Sequence, residues 1–479
     1  MKKSSNANAK PKPGHYRFRE INGKILLTND VGTHLIVDRE TFDKLSAGKL
    51  DKSDKMYAQL LEMNAIRETD ITVEEVERLR NKNLFLFNGP QLLIVIPTLR
   101  CNQKCRYCHA SAVGRGSSEY DMTPETAKRV VDTIFNVPGI NISIEFQGGE
   151  PLMNWEIVKF ITDYSIEQNL MHEKNLALTL VTNMALLTDE KMKYLIDRKV
   201  GLCTSLDGPE FLHNHNRGGG YSEVVKKLKK AGERYSPKFG GYKPGALTTI
   251  TRESLKYPRE IVDTYVELGL GSIHLRSLNP VGFATMQLKD IYYSPDEFLE
   301  FYEKALDYII ELNKNGTSMV ERTAWLFLSK IFSDYDPDYM DLRSPCGAGI
   351  GQIAFNYNGD VYTCDEGRMI AMQGDNSFRM GNVFENSYDE LIGSPIVKQT
   401  CLASILDGIP RCTDCAYKPY CGVCPVLNYV EKGSLYSITP QNRRHKIFEG
   451  ILDMIFIRLQ DEAARSVFMK WLEKGIGAA

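Results

Sequence analysis

The chain has 479 residues, of which 43% are hydrophobic and 25% are charged, and its formal net charge is -2. This composition is ordinary for a globular protein, and the balanced charge gives no reason to expect nucleic-acid or membrane partners. The length is too great for one ordinary domain. No apolar run reaches the roughly 18 residues of a membrane span. Residues 1–14 are polar and basic, without a signal-like apolar core, so we expect a disordered tail on a cytosolic protein.

The first predicted unit covers residues 15–88 and combines short strands with helices. Turn residues at Asn22-Gly23 and Asn29-Asp30 separate strands predicted at Tyr16–Arg19, Lys24–Thr28 and His34–Val37. Helical periodicity follows at Arg39–Leu45, Asp54–Met63 and Thr72–Lys82. This order predicts a winged-helix-like module, which either packs passively on the rest of the chain or presents a peptide to it.

Strands and helices alternate through the second predicted unit, residues 89–320. Thr123 as N-cap and Pro124 at the first helical position mark the start of one helix. Six strand-helix units predict a parallel sheet, closed into a partial (β/α)6 barrel, with ligand sites at the carboxyl ends of the strands. The predicted strands are Leu92–Ile96, Ile142–Phe146, Leu176–Val181, Val200–Ser205, Ala246–Thr251 and Ser272–Leu278.

The third predicted unit, residues 321–460, is rich in cysteines and turns and ends in a helix at Lys446–Leu459. A composition rich in cysteines and turns is typical of a domain organised around metal. Residues 461–479 are predicted to be a C-terminal tail. Seven of the 11 cysteines lie between Cys346 and Cys424, three lie near residue 100, and Cys203 alone is expected in the apolar core. In a reducing cytosol such groups indicate metal or cluster binding rather than disulfides.

The three early cysteines, Cys101, Cys105 and Cys108, follow the first barrel strand with the spacing Cys-x3-Cys-x2-Cys. Three thiolates in one loop can hold three irons of a [4Fe-4S] cube and leave the fourth iron open to a chelating small molecule. A zinc site is the alternative, with His109 as a fourth ligand.

This loop, with Tyr107 just before the last cysteine, resembles that of the radical S-adenosylmethionine (SAM) superfamily. The resemblance implies that the methionyl amine and carboxylate chelate the open iron. One electron then splits the sulfonium to give a 5'-deoxyadenosyl radical, which abstracts hydrogen from a substrate. In such enzymes the cofactors carry the chemistry and the protein positions them.

Later strand ends carry further matches to this superfamily. Gln147, Gly148, Gly149 and Glu150, before Pro151, resemble the motif that holds the methionyl amine: glycines admit close backbone approach, and Glu150 complements an ammonium. By resemblance, the cosubstrate contacts also include Asn183, Ser205, Asp207, Arg217 and Leu278, the last against adenine. Turn or cap chemistry is the alternative for Ser205 and Asp207.

The late cysteines resemble the SPASM domain, which carries auxiliary [4Fe-4S] clusters. Gly359 lies five residues before Cys364, as in its opening pattern, and a zinc ribbon is the alternative. The resemblance implies one cluster on Cys346, Cys364 and Cys424 and a second on Cys412, Cys415 and Cys421.

The chain departs from the SPASM pattern after Cys424, where no further cysteine follows. His445 stands about where that cysteine is expected and is either a replacement ligand or an ordinary surface histidine. Cys401 either completes the first cluster or is a buried thiol; a third alternative leaves that cluster open for substrate. By resemblance to sulfatase-maturing enzymes, Asp365 is a candidate general base, with an exposed turn carboxylate as the alternative.

A closer resemblance covers almost the whole chain. The runs Tyr16–Gly32 and Cys412–Gly422 are similar to the His-Xaa-Ser system radical SAM maturases. This resemblance implies that the substrate is a precursor peptide or small protein with His-Xaa-Ser repeats and that the product is a crosslink. The expected partners are a second, paired radical enzyme and an electron donor such as flavodoxin or ferredoxin. The alternatives are a formylglycine-forming sulfatase-type maturase and a non-catalytic iron-sulfur electron-transfer protein.

Overall fold

The computed structural model describes residues 11–68, 73–238, 243–282, 284, 288–437 and 443–475. The N-terminal part is an antiparallel three-stranded meander followed by helices. Phe18 lies opposite Leu27, and Leu27 lies opposite Leu35. The elements are β1 (Lys12–Pro13), β2 (Arg17–Ile21), β3 (Lys24–Thr28), β4 (His34–Val37), α1 (Arg39–Ser46), α2 (Tyr57–Glu62), β5 (Ile66–Arg67) and α3 (Val73–Lys82).

The three strands predicted for this part are present, and each predicted helix has a counterpart, although Thr72 lies outside the described residues. The prediction of a disordered tail over residues 1–14 is wrong at its end. β1 pairs antiparallel with β5, and the backbone N–H of Gly14 donates to the Ala65 carbonyl at 2.9 Å. Residues 1–10 lie outside the described ranges.

The middle of the chain alternates strands and helices, as its sequence predicts. Apolar strands alternate with amphipathic helices that cover them; α4, for example, begins at Thr123, whose side chain accepts from the Thr126 N–H. The elements are β6 (Leu92–Thr98), α4 (Pro124–Phe135), β7 (Asn141–Gly148), α5 (Trp155–His172), β8 (Asn175–Thr182), α6 (Asp189–Asp197), β9 (Val200–Ser205), α7 (Glu210–Arg217), α8 (Tyr221–Tyr235), β10 (Gly245–Ile250), α9 (Pro258–Glu267), β11 (Ser272–Ile273), β12 (Leu275–Ser277), α10 (Leu288–Ile291) and α11 (Pro295–Lys314).

Six parallel strands of this region form one sheet in the order β12-β10-β9-β8-β7-β6. This is the predicted partial barrel, an α/β fold open at the β12 edge. The sixth predicted strand is split at His274, because β11 pairs with Val320–Glu321 while β12 pairs with β10.

The C-terminal region continues the same sheet, which the sequence did not predict. Here β14 pairs parallel with β6, and two antiparallel strands extend the sheet to nine strands. The elements are β13 (Val320–Glu321), α12 (Arg322–Phe332), β14 (Gln352–Phe355), β15 (Asp360–Tyr362), α13 (Asp365–Ala371), β16 (Arg379–Asn382), α14 (Tyr388–Ile392), α15 (Pro395–Ser404), α16 (Pro425–Lys432), α17 (Arg443–Arg458) and α18 (Glu462–Lys474).

The prediction of a tail over residues 461–479 is wrong for α18. Asp461 caps this helix by accepting from the Ala464 N–H, and Phe468 and Trp471 are buried against the core. Residues 476–479 lie outside the described part. Across the described ranges, no helix combines the length and the apolarity needed to cross a membrane.

Candidate functional site

The cysteine triplet occupies the loop that follows β6, at the carboxyl edge of the sheet. The Cys101 N–H donates to the Val113 carbonyl at 3.0 Å, and the Cys108 N–H to the Cys105 carbonyl at 3.2 Å. All three cysteines are partly exposed. Burial raises the pKa of the Cys101 thiol to about 12. A cation is therefore needed to hold this thiol as thiolate, and a donor set of three thiols in one loop fits iron.

Within the described ranges, no three His, Cys, Asp or Glu side chains converge tightly enough to ligate one metal ion. A [4Fe-4S] cube binds each thiolate to a different iron, so its ligands are spaced more widely than those of a single ion.

Two glycines lock the neighbouring strand end against this loop. The Gly149 N–H donates to the Thr98 carbonyl at 3.1 Å. A Cβ on Gly149 would lie 2.3 Å from the Arg100 oxygen and 2.4 Å from the Leu99 oxygen. Gly148 adopts a φ of +129°, and a Cβ there would lie 2.4 Å from the Thr98 oxygen. Only glycine therefore allows β7 to end this close to the start of the cysteine loop.

Glu150 differs from the expectation that it meets an ammonium group. Its side chain is fully buried, and its carboxylate accepts from the Leu152 N–H at 3.1 Å, the Thr182 hydroxyl at 2.7 Å and the Asn183 N–H at 2.8 Å. The Asn183 amide in turn donates to the Asn102 side chain at 2.7 Å. Burial raises the pKa of Glu150 above its ordinary value, against these bonds. Glu150 thus fixes the end of β8 beside the cysteine loop.

Tyr107, Asp207 and Arg217 form one buried network. The Tyr107 hydroxyl lies 2.8 Å from both Asp207 oxygens and accepts from Arg217 Nη1 at 2.7 Å. Burial raises the pKa of the Asp207 carboxyl, and the Arg217 charge opposes that rise. Arg217 Nη2 also approaches Gln103 Oε1 at 3.4 Å, inside the cysteine loop. The structure therefore brings these three predicted residues together and joins them to the triplet.

The remaining predicted contacts lie at other strand ends. Ser205 is half-buried at the end of β9. Leu278 is buried just after β12, where its N–H donates to the Tyr293 hydroxyl at 2.8 Å. Gln147 donates from Nε2 to Glu145 Oε1. All three lie on the carboxyl edge that carries the triplet.

The sequence reasoning missed a charged group inside the barrel. Burial raises the pKa of Glu145; the nearby charge of Asp365 adds to the rise, and Arg276 and Arg322 oppose it. Alternation along β7 places Glu145 on the same face as Gln147, which is a signal that could have found it. The barrel interior is therefore polar and meets the C-terminal region at Asp365.

Cys203 also borders this interior. It is buried, as predicted, and the charges of Glu145, Arg322 and Arg276 act on its thiol. Burial raises the pKa of that thiol to about 12, and Glu145 contributes to the rise.

Asp365 begins α13, directly after Cys364, and is buried rather than exposed. Its carboxylate accepts from Arg368 Nε at 2.7 Å. Among the described residues, neither terminal nitrogen of the Arg368 guanidinium has a hydrogen-bond partner. Arg368 therefore holds the Asp365 carboxylate in place at the start of α13.

Cys346, Cys364 and Cys424 lie close together in one buried cluster with Val281. Burial raises the pKa of the Cys364 thiol well above its ordinary value, and the other two thiols add to the rise. Burial alone raises the pKa of Cys401, without a contribution from these three. The structure therefore assembles the first predicted trio in one buried cluster, and Cys401 is a half-buried thiol on α15 outside that cluster.

The second predicted trio lines a single cavity together with His445. Burial raises the pKa of Cys421 to about 12, and Cys415 and Cys412 contribute to the rise. The residues around this cavity include Phe18, Arg19, Cys412, Cys415, Cys421, His445 and Glu449.

Comparisons with known proteins agree with this arrangement. Residues 95–264 match the radical SAM superfamily, and residues 346–425 match SPASM, an iron-sulfur cluster-binding domain. The chain is 25% identical to the cysteine-type anaerobic sulfatase-maturating enzyme of Clostridium perfringens, over 63% of this chain and 79% of that one.

Two solved structures resemble it in fold. Native anSMEcpe with bound AdoMet is 20% identical, with a TM-score of 0.65 over 79% of this chain and 100% of that one. Streptococcus suis SuiB, bound to its precursor peptide SuiA, is 18% identical, with a TM-score of 0.54 over 90% of this chain and 99% of that one. The chain therefore carries a radical SAM domain, with the [4Fe-4S] cluster and S-adenosylmethionine that such a domain implies, followed by a SPASM iron-sulfur domain.

Proposed function

We propose that this protein is a radical SAM maturase that modifies a ribosomally made peptide or small protein. One observation carries the proposal: the Gly148-Gly149 cradle packs the end of β7 against the cysteine triplet loop, at the carboxyl edge of the sheet. On the same strand, Glu145 lies near Asp365 of the SPASM region. A small docking module at the N-terminus completes the arrangement. SuiB, which resembles the chain over 90% of its length, is known bound to a precursor peptide.

The chain's own residues hold and orient the cosubstrate. Cys101, Cys105 and Cys108 would ligate the radical cluster. Glu150 positions Asn183 through the 2.8 Å bond to its N–H. The cosubstrate would be surrounded by Tyr107, Gln147, Gly148, Gly149, Asn183, Ser205, Asp207, Arg217 and Leu278. When bound and reduced by one electron, S-adenosylmethionine supplies a 5'-deoxyadenosyl radical that takes a hydrogen atom from the substrate.

The SPASM cysteines would hold two auxiliary clusters, one on Cys346, Cys364 and Cys424 and the other on Cys412, Cys415 and Cys421. We propose an electron donor of the flavodoxin or ferredoxin class. No disulfide joins the described cysteines, and grouped cysteines without disulfides suit the proposed cytosolic location.

The N-terminal module supplies a surface for peptide docking. β4 is an edge strand of the meander, and α3 stands near its start, where Arg78 Nη1 donates to Thr33 Oγ1 at 3.3 Å. No described residue of α3 is buried, and Val73, Val76 and Leu79 expose 79%, 49% and 43% of their surface. A segment that adds to the β4 edge could cover this apolar stripe.

We further propose a substrate with His-Xaa-Ser repeats, a crosslink as the product and a second paired radical enzyme as partner. This proposal rests on the resemblance of the Tyr16–Gly32 and Cys412–Gly422 runs. Asp365 favours a second candidate, sulfatase-type maturation, because its carboxylate borders the barrel interior where a substrate side chain would be deprotonated.

The test is anaerobic turnover of the reconstituted protein with dithionite and S-adenosylmethionine. We expect 5'-deoxyadenosine in the presence of a His-Xaa-Ser repeat peptide, and a product that has lost two hydrogen atoms. Crosslinking and oxidation of serine to formylglycine give the same mass change, so the product is also treated with hydroxylamine, which captures only an aldehyde. A captured aldehyde would replace crosslinking with sulfatase-type chemistry. Absence of 5'-deoxyadenosine with every peptide would leave only the electron-transfer alternative.

A further inference from the structure

The cavity of the second cysteine trio has a wall that comes from the opposite end of the chain. Phe18 and Arg19, on β2 of the N-terminal meander, face Cys412, Cys415 and Cys421 across it. The proposed docking module therefore contributes directly to the surroundings of the second auxiliary cluster.

Side chains of the module hold this wall in place through backbone oxygens of the cysteine loop. Arg17 Nε donates to the Thr413 carbonyl at 2.6 Å, and the Thr28 hydroxyl donates to the Ala416 carbonyl at 2.7 Å. Thr28 is fully buried and Arg17 is 5% exposed. Because buried hydrogen bonds resist local opening, the module and the cysteine loop are expected to move as one unit.

His445 enters the same cavity from the first turn of α17. Its Nε2 lies 3.9 Å from Glu449 Oε2, and Glu449 Oε1 accepts from Arg19 Nη1 at 2.7 Å. The remaining guanidinium nitrogens of Arg19 bind both oxygens of Asp453 at 2.8 Å each. Metal-bound histidines commonly direct their second ring nitrogen to a carboxylate, which fixes the ring and strengthens the ligand.

We infer that His445 is the fourth ligand of the second auxiliary cluster, and that Glu449 and Arg19 orient it. The inference rests on the proposed function, since it takes the trio to hold a [4Fe-4S] cube. Three thiolates leave one iron without a protein ligand, and His445 is the histidine on the cavity surface. Arg19 belongs to the docking module, so that module contacts Glu449, the carboxylate that lies 3.9 Å from the His445 ring.

The test compares His445→Cys and His445→Ala with His172→Ala, a control at an exposed histidine of α5. All are reconstituted as full chains and read by iron content and by pulsed EPR of the reduced clusters. We expect about 12 irons and an imidazole nitrogen coupling in the wild type and in His172→Ala. His445→Cys should keep the iron, lose the coupling and lower the potential of one cluster, because imidazole raises cluster potentials relative to thiolate. His445→Ala should lose up to about four irons or leave that cluster open to added imidazole.

The outcomes separate the ligand assignment from the proposed cofactor content. About 12 irons without nitrogen coupling in the wild type, or an unchanged His445→Ala, would overturn only the assignment of His445. About eight irons in the wild type would mean that one auxiliary cluster is missing, and if Cys415→Ser then keeps all eight, the second cluster itself is overturned.

Arg19→Met tests whether Arg19 and Glu449 position His445. Arg39→Met on the same module is the control, because Arg39 pairs with the exposed Glu20 and lies over the Phe42 ring, on a different element from the cavity. Arg19→Met leaves two carboxylates beside the cluster without their cation, so it should lower the potential of that cluster alone. An unchanged potential would remove Arg19 from the proposal.

Discussion

Replacing Glu150 with glutamine tests whether this residue acts as a bridge between strand ends. In the structure one carboxylate oxygen accepts from Leu152 and Thr182, and the other accepts from Asn183. A glutamine can keep an oxygen on only one side. If the oxygen faces Leu152 and Thr182, the new NH2 group meets the Asn183 N–H, donor against donor. The variant therefore loses at least one buried bond and weakens the others by removing the charge.

The expected magnitude follows from the number and kind of bonds lost. Hydrogen bonds to charged groups contribute about 1.5–3 kcal/mol each, and an unsatisfied buried donor costs about 1–3 kcal/mol. Relief of the buried charge offsets part of this loss. We expect Glu150→Gln to lower the free energy of unfolding by about 2 kcal/mol. Because Asn183 then loosens beside the cysteine loop, S-adenosylmethionine affinity should fall about tenfold, which corresponds to about 1.4 kcal/mol.

The assay measures urea unfolding and S-adenosylmethionine binding of the reconstituted variant. Glu156→Gln, at an 80% exposed side chain near the start of α5, is the matched control and should change neither. Thr182→Val removes one donor to Glu150 without changing side-chain shape. If Glu150 works through the β8 end, the double variant should lose less affinity than the sum of the single variants, by about 1 kcal/mol. Strict additivity would instead indicate that Glu150 contacts the cosubstrate directly.

Three further predictions address the cradle, the acid sensitivity and the first trio. Gly149→Ala should weaken S-adenosylmethionine binding by displacing the cysteine loop, whereas Gly116→Ala, where a Cβ has open space, should not. His34→Gln should make thermal stability less sensitive to acid. Burial lowers the pKa of His34 to about 4, so the wild type loses stability as the pH falls from about 6.5 to 4. A melting temperature that falls as steeply with pH in the variant as in the wild type would contradict this. Cys424→Ser should remove about four irons per chain while Cys401→Ser keeps all of them, and equal iron loss would return Cys401 to the cluster.

Strand positions were predictable because buried strands require apolar runs, and six such runs separate helical patterns. The split of the last run at His274 was not predictable, since it depends on a partner strand at Val320–Glu321, more than forty residues away. The prediction of a tail after residue 460 was wrong for a related reason. Trp471 is buried only because other helices cover it, and its local sequence does not identify that cover.

In the predicted site, too, features set by local sequence were predictable and features set by distant partners were not. Cysteine spacing and glycine pairs are local signals, and the structure brings them together. The partners of charged residues are not local. Glu150 accepts from the Asn183 N–H, 33 positions away, and Arg217 donates to the Tyr107 hydroxyl, 110 positions away. The charge cluster of Glu145 and Asp365 joins two domains and follows from their packing. The sequence can therefore identify such residues as candidates, but only the tertiary structure shows whether their side chains face a ligand or other protein groups.

The nine-stranded sheet constrains how the two cysteine regions relate. β14 pairs with β6 in parallel from Gln352 opposite Leu92 to Phe355 opposite Val95. β6 ends three residues before Cys101, and the hairpin that follows β14 leads to Cys364. Both cysteine regions therefore extend from one hydrogen-bonded ladder rather than from domains joined by a flexible linker. A slip in this ladder by one residue would turn the β14 side chains to the opposite face, so the register itself fixes Cys364 and Asp365 against the barrel mouth.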